Sequence, residues 1–301
     1  MTTTRLHDDE VDIDTSLARR LVDRQLPQHA GLTLGRVRSG GTDNAVFRLG
    51  RDLALRLPRT PRSVGGLLKE ARWLPVLTGH VSLEVPEVVF VGEPDTGYPF
   101  PWAVVRWLDG DDALVGHIRS TREAALALGQ FVAELKRIAT TGAPAPGTEG
   151  FVRGLPLAGR DEEVRAALAQ GDGLVDVGRV RAVWDDALAA PAWAGPARWL
   201  HADLLPGNIL VRAGRVAGVL DFGAMAVGDP AYDVTAAWHL LDARSRPVFR
   251  ETVGVDDATW RRARGLVVSL GVIALPYYLH SNPSMVTTAR RGISEVLGAP
   301  A

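Results

Sequence analysis

Apolar positions along the chain recur first at helical spacing, then in short strand-like runs, then at helical spacing again. From Asp14 to Leu26, Leu17, Leu21 and Val22 share a face, and Asp14 or Thr15 can cap the start, which predicts an amphipathic helix. Between Leu32 and Leu57 the pattern changes. The runs LTLGRVR, AVFRLG and DLALRLP are separated by SGGTDN and GRD, which predicts an antiparallel meander. Val64 to Leu77 returns to helical spacing through Leu67, Leu68, Ala71 and Leu74, and EVVFVGE and WAVVRWL predict two more strands. A β-rich segment with one helix therefore ends near Leu108, where DGDD makes a polar break. Thr121 to Ala139 aligns Ala124, Leu128, Phe131, Leu135 and Ile138 on one helical face, and TTGAPAPGTEG reads as an exposed loop. Further helices are expected at Asp161–Ala169 and Asp176–Ala190. Two short strands, Ile209–Val211 and Val216–Leu220, flank the turn RAGR, and from Ala231 onward the chain is mostly helical. The layout is α+β: a β-rich unit over residues 1–108, including a hinge, and an α-rich unit over 109–301.

Composition narrows the possible chemistry. With 301 residues and 46% hydrophobic content the chain can bury a substantial core. A net charge of -1 gives no reason to expect nucleic acid as a partner, and the absence of cysteine excludes disulfides, thiolate metal sites and cysteine nucleophiles. No apolar run has the length of a membrane span, and the polar, acidic start lacks the features of a secretory signal, so a cytoplasmic protein is expected.

The sharpest chemical pattern lies in WLHADLLPGNILV, Trp199 to Val211, where Asn208 follows Asp203 after four intervening residues. LDFG, Leu220 to Gly223, begins twelve residues further on. Each polar residue stands beside a short apolar run. Phosphoryl transfer from a nucleotide needs a base to orient and deprotonate a hydroxyl, and an amide and a carboxylate to hold magnesium. Asp203 suits the base, Asn208 and Asp221 the metal. Mg2+ takes hard oxygen ligands and keeps several waters, so two protein ligands suffice when phosphates supply others. His201 fits better as a residue packed under the loop than as a proton carrier. An isolated D-x4-N or DFG is an ordinary turn pattern; the two in this order after a β-rich unit are much more specific.

HADLLPGNILV, LDFG and GDPAYDV together resemble the signature of the aminoglycoside phosphotransferase family, which includes macrolide phosphotransferases and other small-molecule kinases. The resemblance spans roughly Leu32 to Leu241 and departs from the family at Ala202, usually Gly, and at Leu205, often His. It implies the two-lobed protein-kinase-like fold, with Asp203 as the catalytic base and Asn208 and Asp221 as metal ligands. Asp229 and Asp233 match a segment that supports the catalytic loop, and a buried hydrogen-bonding or capping role is expected for Asp233. Ser39, Gly40 and Gly41 stand at the place of the nucleotide-binding loop, although SGGTDNAVF lacks the full glycine spacing and also fits a plain hairpin turn. Arg56 occupies the position of the strand lysine of protein kinases, with Glu70 as its helix partner and Lys69 as a rival phosphate contact. Arg106, Trp107 and Leu108 match the hinge, whose backbone would read the base while Val104 or Trp107 packs on the ring.

The resemblance thus implies a Mg2+-dependent transfer from ATP or GTP to a hydroxyl of a small molecule, either an antibiotic or a cellular metabolite. A catalytically silent nucleotide-binding scaffold is the rival from another class. A protein acceptor is disfavoured because no A-P-E segment follows DFG and GDPAYD comes almost at once. Acceptor contacts are sought around Trp238, Trp260, Tyr277, Tyr278 and His280. No concentrated acidic run occurs in the last third, which disfavours a polycationic acceptor.

Overall fold

The computed structural model describes residues 9–37, 43–144, 153–171 and 173–298. Helix α1 (Thr15–Gln25) begins at Asp14, whose carboxylate accepts the Leu17 amide at 2.7 Å. It lies against one face of an antiparallel sheet built from β1 (Leu34–Arg36), β2 (Asn44–Leu49) and β3 (Leu53–Pro58). Helix α2 (Pro61–Leu77) follows, and β4 (Val88–Gly92) and β5 (Trp102–Arg106) complete the sheet in the order β1-β2-β3-β5-β4. The pleat sorts side chains to the two faces. Phe47, Leu49, Leu55, Leu57, Trp102 and Val104 pack with Leu17, Leu21 and Val22 in one hydrophobic core. Ala54, Arg56, Ala103 and Val105, paired across β3 and β5, point the other way, towards α2.

A two-residue strand, β6 (Asp111–Asp112), lies within the expected polar break. Helices α3 (Thr121–Leu135), α4 (Asp161–Ala169) and α5 (Val177–Ala189) come next, followed by β7 (Arg198–Leu200). Strands β8 (Ile209–Arg212) and β9 (Arg215–Val219) form the hairpin expected around RAGR, and β6 adds to its outer edge. Strand β10 (Ala226–Gly228) returns to pair with β7. Helices α6 (Ala231–Val234), α7 (Ala236–His239), α8 (Arg246–Val253), α9 (Asp257–Tyr278) and α10 (Pro283–Leu297) complete the chain. A second, larger core gathers α3, α5, α9 and α10 with strands β7 to β9; Trp184, Phe131, Phe222 and Phe249 are fully buried within it. Leu74 and Leu77 at the end of α2 also join this core, so α2 couples the β-sheet region to the helical one. Among the described residues no helix is long and apolar enough to cross a membrane.

Candidate active site

The segment from His201 to Asn208 connects β7 to β8, and its shape is set from below by buried acids and a buried imidazole. Asp233, in the single turn of α6, accepts the amides of His201 at 2.9 Å and Ala202 at 2.6 Å through its two oxygens. This is the buried hydrogen-bonding role expected from the sequence. Burial pushes its carboxyl up to about 7 against the pull of those two amides. Ala202 stands in the left-handed region at φ 64°, which accounts for the usual glycine at this position of the resembled motif. His201 packs edge-on to Phe222, with ring centroids 4.5 Å apart, and its Nδ1 accepts the Asp203 amide at 3.1 Å. The proton therefore sits on Nε2, which donates to the Leu220 carbonyl at 2.9 Å. Burial lowers its basicity, so His201 is a neutral brace beneath the loop, as its sequence position suggests.

Asp203 is held at both carboxylate oxygens. Oδ2 accepts from Asn208 Nδ2 at 2.9 Å, and the same amide nitrogen donates to the Asp203 carbonyl at 2.9 Å. Oδ1 lies 2.7 Å from Arg153 Nη1, an ion pair without hydrogen-bond alignment, and the same nitrogen donates to the Ala202 carbonyl at 2.7 Å. With its nitrogen committed to Asp203, Asn208 has its side-chain oxygen available to a cation. The Leu220 amide donates to the Asn208 carbonyl at 2.8 Å, which sets Asn208 beside the turn that carries Asp221.

Asp221 stands two residues beyond β9 in the left-handed region, φ 59°, and its Oδ1 caps the Gly223 amide at 3.4 Å. Arg56 crosses from the β-sheet to meet it, Nη2 to Oδ1 at 3.2 Å, while Nη1 forms an ion pair with Glu70. Glu70 also accepts the Phe222 amide at 2.6 Å. Arg56 and Glu70 are both buried; burial pulls the Arg56 pKa down, but the two carboxylates outweigh it and hold it above its ordinary value. The expected Arg56–Glu70 pair is thus present, and it ties α2 and β3 to the turn after β9. Lys69 is also buried, but Arg56 is the cation set against Glu70 and Asp221. Among the described residues no three His, Asp or Glu side chains form a metal cage. The Asn208 oxygen and the Asp221 carboxylate are nevertheless hard donors of the kind Mg2+ accepts when phosphates and water complete its shell.

The hinge departs from expectation in detail. Val104 is buried in the core against α1, so it cannot pack on a base; Val105, beside Ala54, is the residue on the cleft face. A run buried on both faces hides the strand alternation, and the expectation was one residue out of phase. The Arg106 amide donates to the Glu87 carbonyl at 2.9 Å and the Trp107 amide to the Asp52 carbonyl at 2.8 Å. The Trp107 ring is covered by the Arg48 guanidinium, 3.9 Å from its centroid. Leu108 lies half-buried just beyond. Ser39, Gly40 and Gly41 lie outside the described residues, in the connection between β1 and β2.

Residues 35–266 match the family described as the phosphotransferase enzyme family. The chain belongs to that family. Its fold is also that of solved phosphotransferases. The GDP complex of aminoglycoside 2'-phosphotransferase-IIIa superposes with a TM-score of 0.69 at 18% identity, covering 95% of this chain and 99% of that one. The GDP and kanamycin complex of APH(2")-IIia gives 0.70 at 20% identity, covering 93% and 97%. Macrolide 2'-phosphotransferase MphH from Brachybacterium faecium gives 0.63 at 23% identity, covering 96% and 99%. No curated protein matches significantly in sequence. The protein is accordingly a phosphotransferase.

Two further features of this phosphotransferase bear on the acceptor side. Trp238, a candidate contact from sequence, is buried and packs on Trp260 with centroids 4.5 Å apart, so it is part of the core. Tyr277, near the end of α9, is 55% exposed and meets Tyr278 edge-on. Arg153, which lies against Asp203, carries no signal of that contact in the sequence. No motif surrounds it, and it lies far from Asp203 along the chain.

Proposed function

We propose that this small-molecule phosphotransferase moves the γ-phosphoryl group of ATP or GTP, with Mg2+, to a hydroxyl of its acceptor, in the cytoplasm where such donors are held. Residues 1–108 would hold the donor, and residues 109–301 would carry the catalytic loop and the acceptor. The observation that supports this most directly is the single network Asp203–Asn208–Leu220–Asp221, joined across to Arg56 and Glu70. In this reading the acceptor oxygen attacks the γ-phosphorus in line, its proton passes to the Asp203 carboxylate, and the bond to the β-phosphate oxygen breaks to release the diphosphate. Asn208 keeps the carboxylate turned to the acceptor. Arg56, steadied by Glu70, meets the donor phosphates. Bound at Asn208 and Asp221, Mg2+ would supply neutralisation of phosphate charge.

An antibiotic is the favoured acceptor class, since the fold is shared with a kanamycin complex and a macrolide 2'-phosphotransferase. The cation beside the base, Arg153, favours an uncharged or weakly basic acceptor such as a macrolide over a polycation. A phosphorylation screen with diphosphate release as readout, over macrolides, aminoglycosides, peptide antibiotics and small metabolic alcohols, tests this choice. Asp203→Ala should not weaken donor binding, and it should lower turnover by about 10²–10⁴-fold. Turnover at the wild-type rate in that variant would remove Asp203 from the role of base.

A further inference from the structure

Asp203 is covered at the oxygen that faces away from Asn208. Its Oδ1 has no solvent-accessible surface and lies 2.7 Å from Arg153 Nη1. Arg153 is fixed there by its neighbours. The Gly154 carbonyl lies so close to Gly228 that a Cβ there would come within 2.4 Å of it, and the Leu155 carbonyl accepts the Tyr232 hydroxyl at 3.2 Å. The backbone beside Arg153 is thus laid directly on the segment that opens α6, the same helix whose Asp233 holds the catalytic loop. The guanidinium has its own exposed side, with a quarter of the side chain accessible.

Charge around the site gives this placement a purpose. Arg56 is already shared between Glu70 and Asp221. The loop between the base and Asn208 reads Leu204, Leu205, Pro206, Gly207 and carries no cation. Among the described residues Arg153 is the one cation in contact with Asp203. Phosphoryl transfer concentrates negative charge on the oxygens of the moving group, and fixed cations there lower the barrier. A guanidinium binds phosphate oxygens as readily as a carboxylate.

We propose that Arg153 caps the base in the empty enzyme and exchanges Asp203 Oδ1 for an oxygen of the donor's terminal phosphate when the triphosphate binds. This rests on Asp203 and the Arg56–Asp221 side being the transfer site. The exchange uncovers the carboxylate for the acceptor hydroxyl and places on the phosphoryl group the positive charge that the catalytic loop lacks. Base and donor are thereby coupled: Asp203 is available only in the presence of a terminal phosphate.

The test is nucleotide affinity, with no acceptor needed. Dissociation constants for ADP and for a non-hydrolysable β,γ-imido triphosphate, each with Mg2+, are measured by calorimetry on wild type, Arg153→Ala, Arg153→Lys and Asp203→Ala. Arg153→Ala should weaken the triphosphate by about 10–100-fold, the value of one charge-assisted contact, and change ADP by less than about threefold. Arg153→Lys should recover part of the loss. Asp203→Ala should tighten the triphosphate, because Asp203 no longer competes for the Arg153 guanidinium, and combining it with Arg153→Ala should abolish that gain. Equal effects on both nucleotides, or none, would overturn the exchange. So would loss of thermal stability with triphosphate preference intact, which would make Arg153 only a brace for the Ala202 carbonyl; should Arg153→Ala not fold, Arg153→Lys and Asp203→Ala still decide. If wild type itself binds no triphosphate, the transfer site has been misplaced, which is a different failure.

Discussion

Ala202 carries three constraints at once: a φ of 64°, an amide given to Asp233 and a carbonyl taken by Arg153. The left-handed conformation costs an L-residue about 1–2 kcal/mol, and glycine escapes that cost but gains about 0.5–1 kcal/mol of freedom in the unfolded chain. Ala202→Gly should therefore stay within about 1 kcal/mol of wild type in urea denaturation and keep its turnover. Ala202→Val puts a branched Cβ in the same conformation. It should cost upward of about 2 kcal/mol and, by turning the peptide away from Asp233 and Arg153, most of the activity. A Val variant as stable as wild type would mean that the loop is not held as described. Glu70 is constrained in a comparable way, since one oxygen serves Arg56 and the other the Phe222 amide. Glu70→Ala leaves a buried guanidinium with Asp221 as its remaining partner. The expected loss is about 3–5 kcal/mol, together with weaker nucleotide binding, read by thermal unfolding and calorimetry.

Helix α9 is the axis of the helical region, packed against both α5 and α10. At Gly265 an added Cβ would lie 2.3 Å from the Ala187 Cβ, an atom with no rotamer to move aside. Gly265→Ala should push the helices apart and destabilise the protein by about 1–3 kcal/mol, and Ala187→Gly in the same chain should restore part of that loss. Additive effects of the two changes would argue against the close crossing. Helices of this kind were legible in the sequence because their signals are local: Asp14 and Ser120 accept amides three residues on, and each apolar stripe repeats within its own segment. The end of α3 was less so. Expected at Ala139, it comes at Leu135, where the Arg137 and Ile138 amides tighten to carbonyls three residues back. Strands β7 and β10 were not visible at all, since three residues cannot display alternation and their pairing joins positions 26 to 30 apart. The site divides in the same way. Asp203, Asn208 and Asp221 lie on one hairpin and its approaches, so their order along the chain reveals their meeting. Arg153 reaches Asp203 through contacts such as Gly154 with Gly228 and Leu155 with Tyr232, which no spacing encodes.

Across the whole molecule, two buried titratable groups make opposite demands on pH. His239, between α7 and α10, is 2% exposed; its ring nitrogens make no well-formed hydrogen bond, with only weak support from the Thr288 backbone. Burial, aided by Arg153 and Arg291, lowers it from 6.5 to about 4. The stability it contributes is present above pH 6.5 and is lost as pH falls towards 4, because the unfolded chain takes up a proton that the folded one refuses. Asp233, raised from 3.8 to about 7, works the other way. Its contribution is present below pH 3.8 and is lost as pH rises through 7, because the folded chain holds a proton that the unfolded one releases. Between about pH 4 and 6.5 the folded state binds one proton at this pair and so does the unfolded state, so the two slopes cancel. Removing either group uncovers the other. Relative to wild type, His239→Leu should lose stability as pH rises across that window, and Asp233→Asn should gain it, each by up to about 1.4 kcal/mol per pH unit. Urea denaturation at intervals of half a pH unit reads these slopes independently of any constant offset from lost packing. If both variants ran parallel to wild type, neither group would be held in the uncharged state that its burial demands.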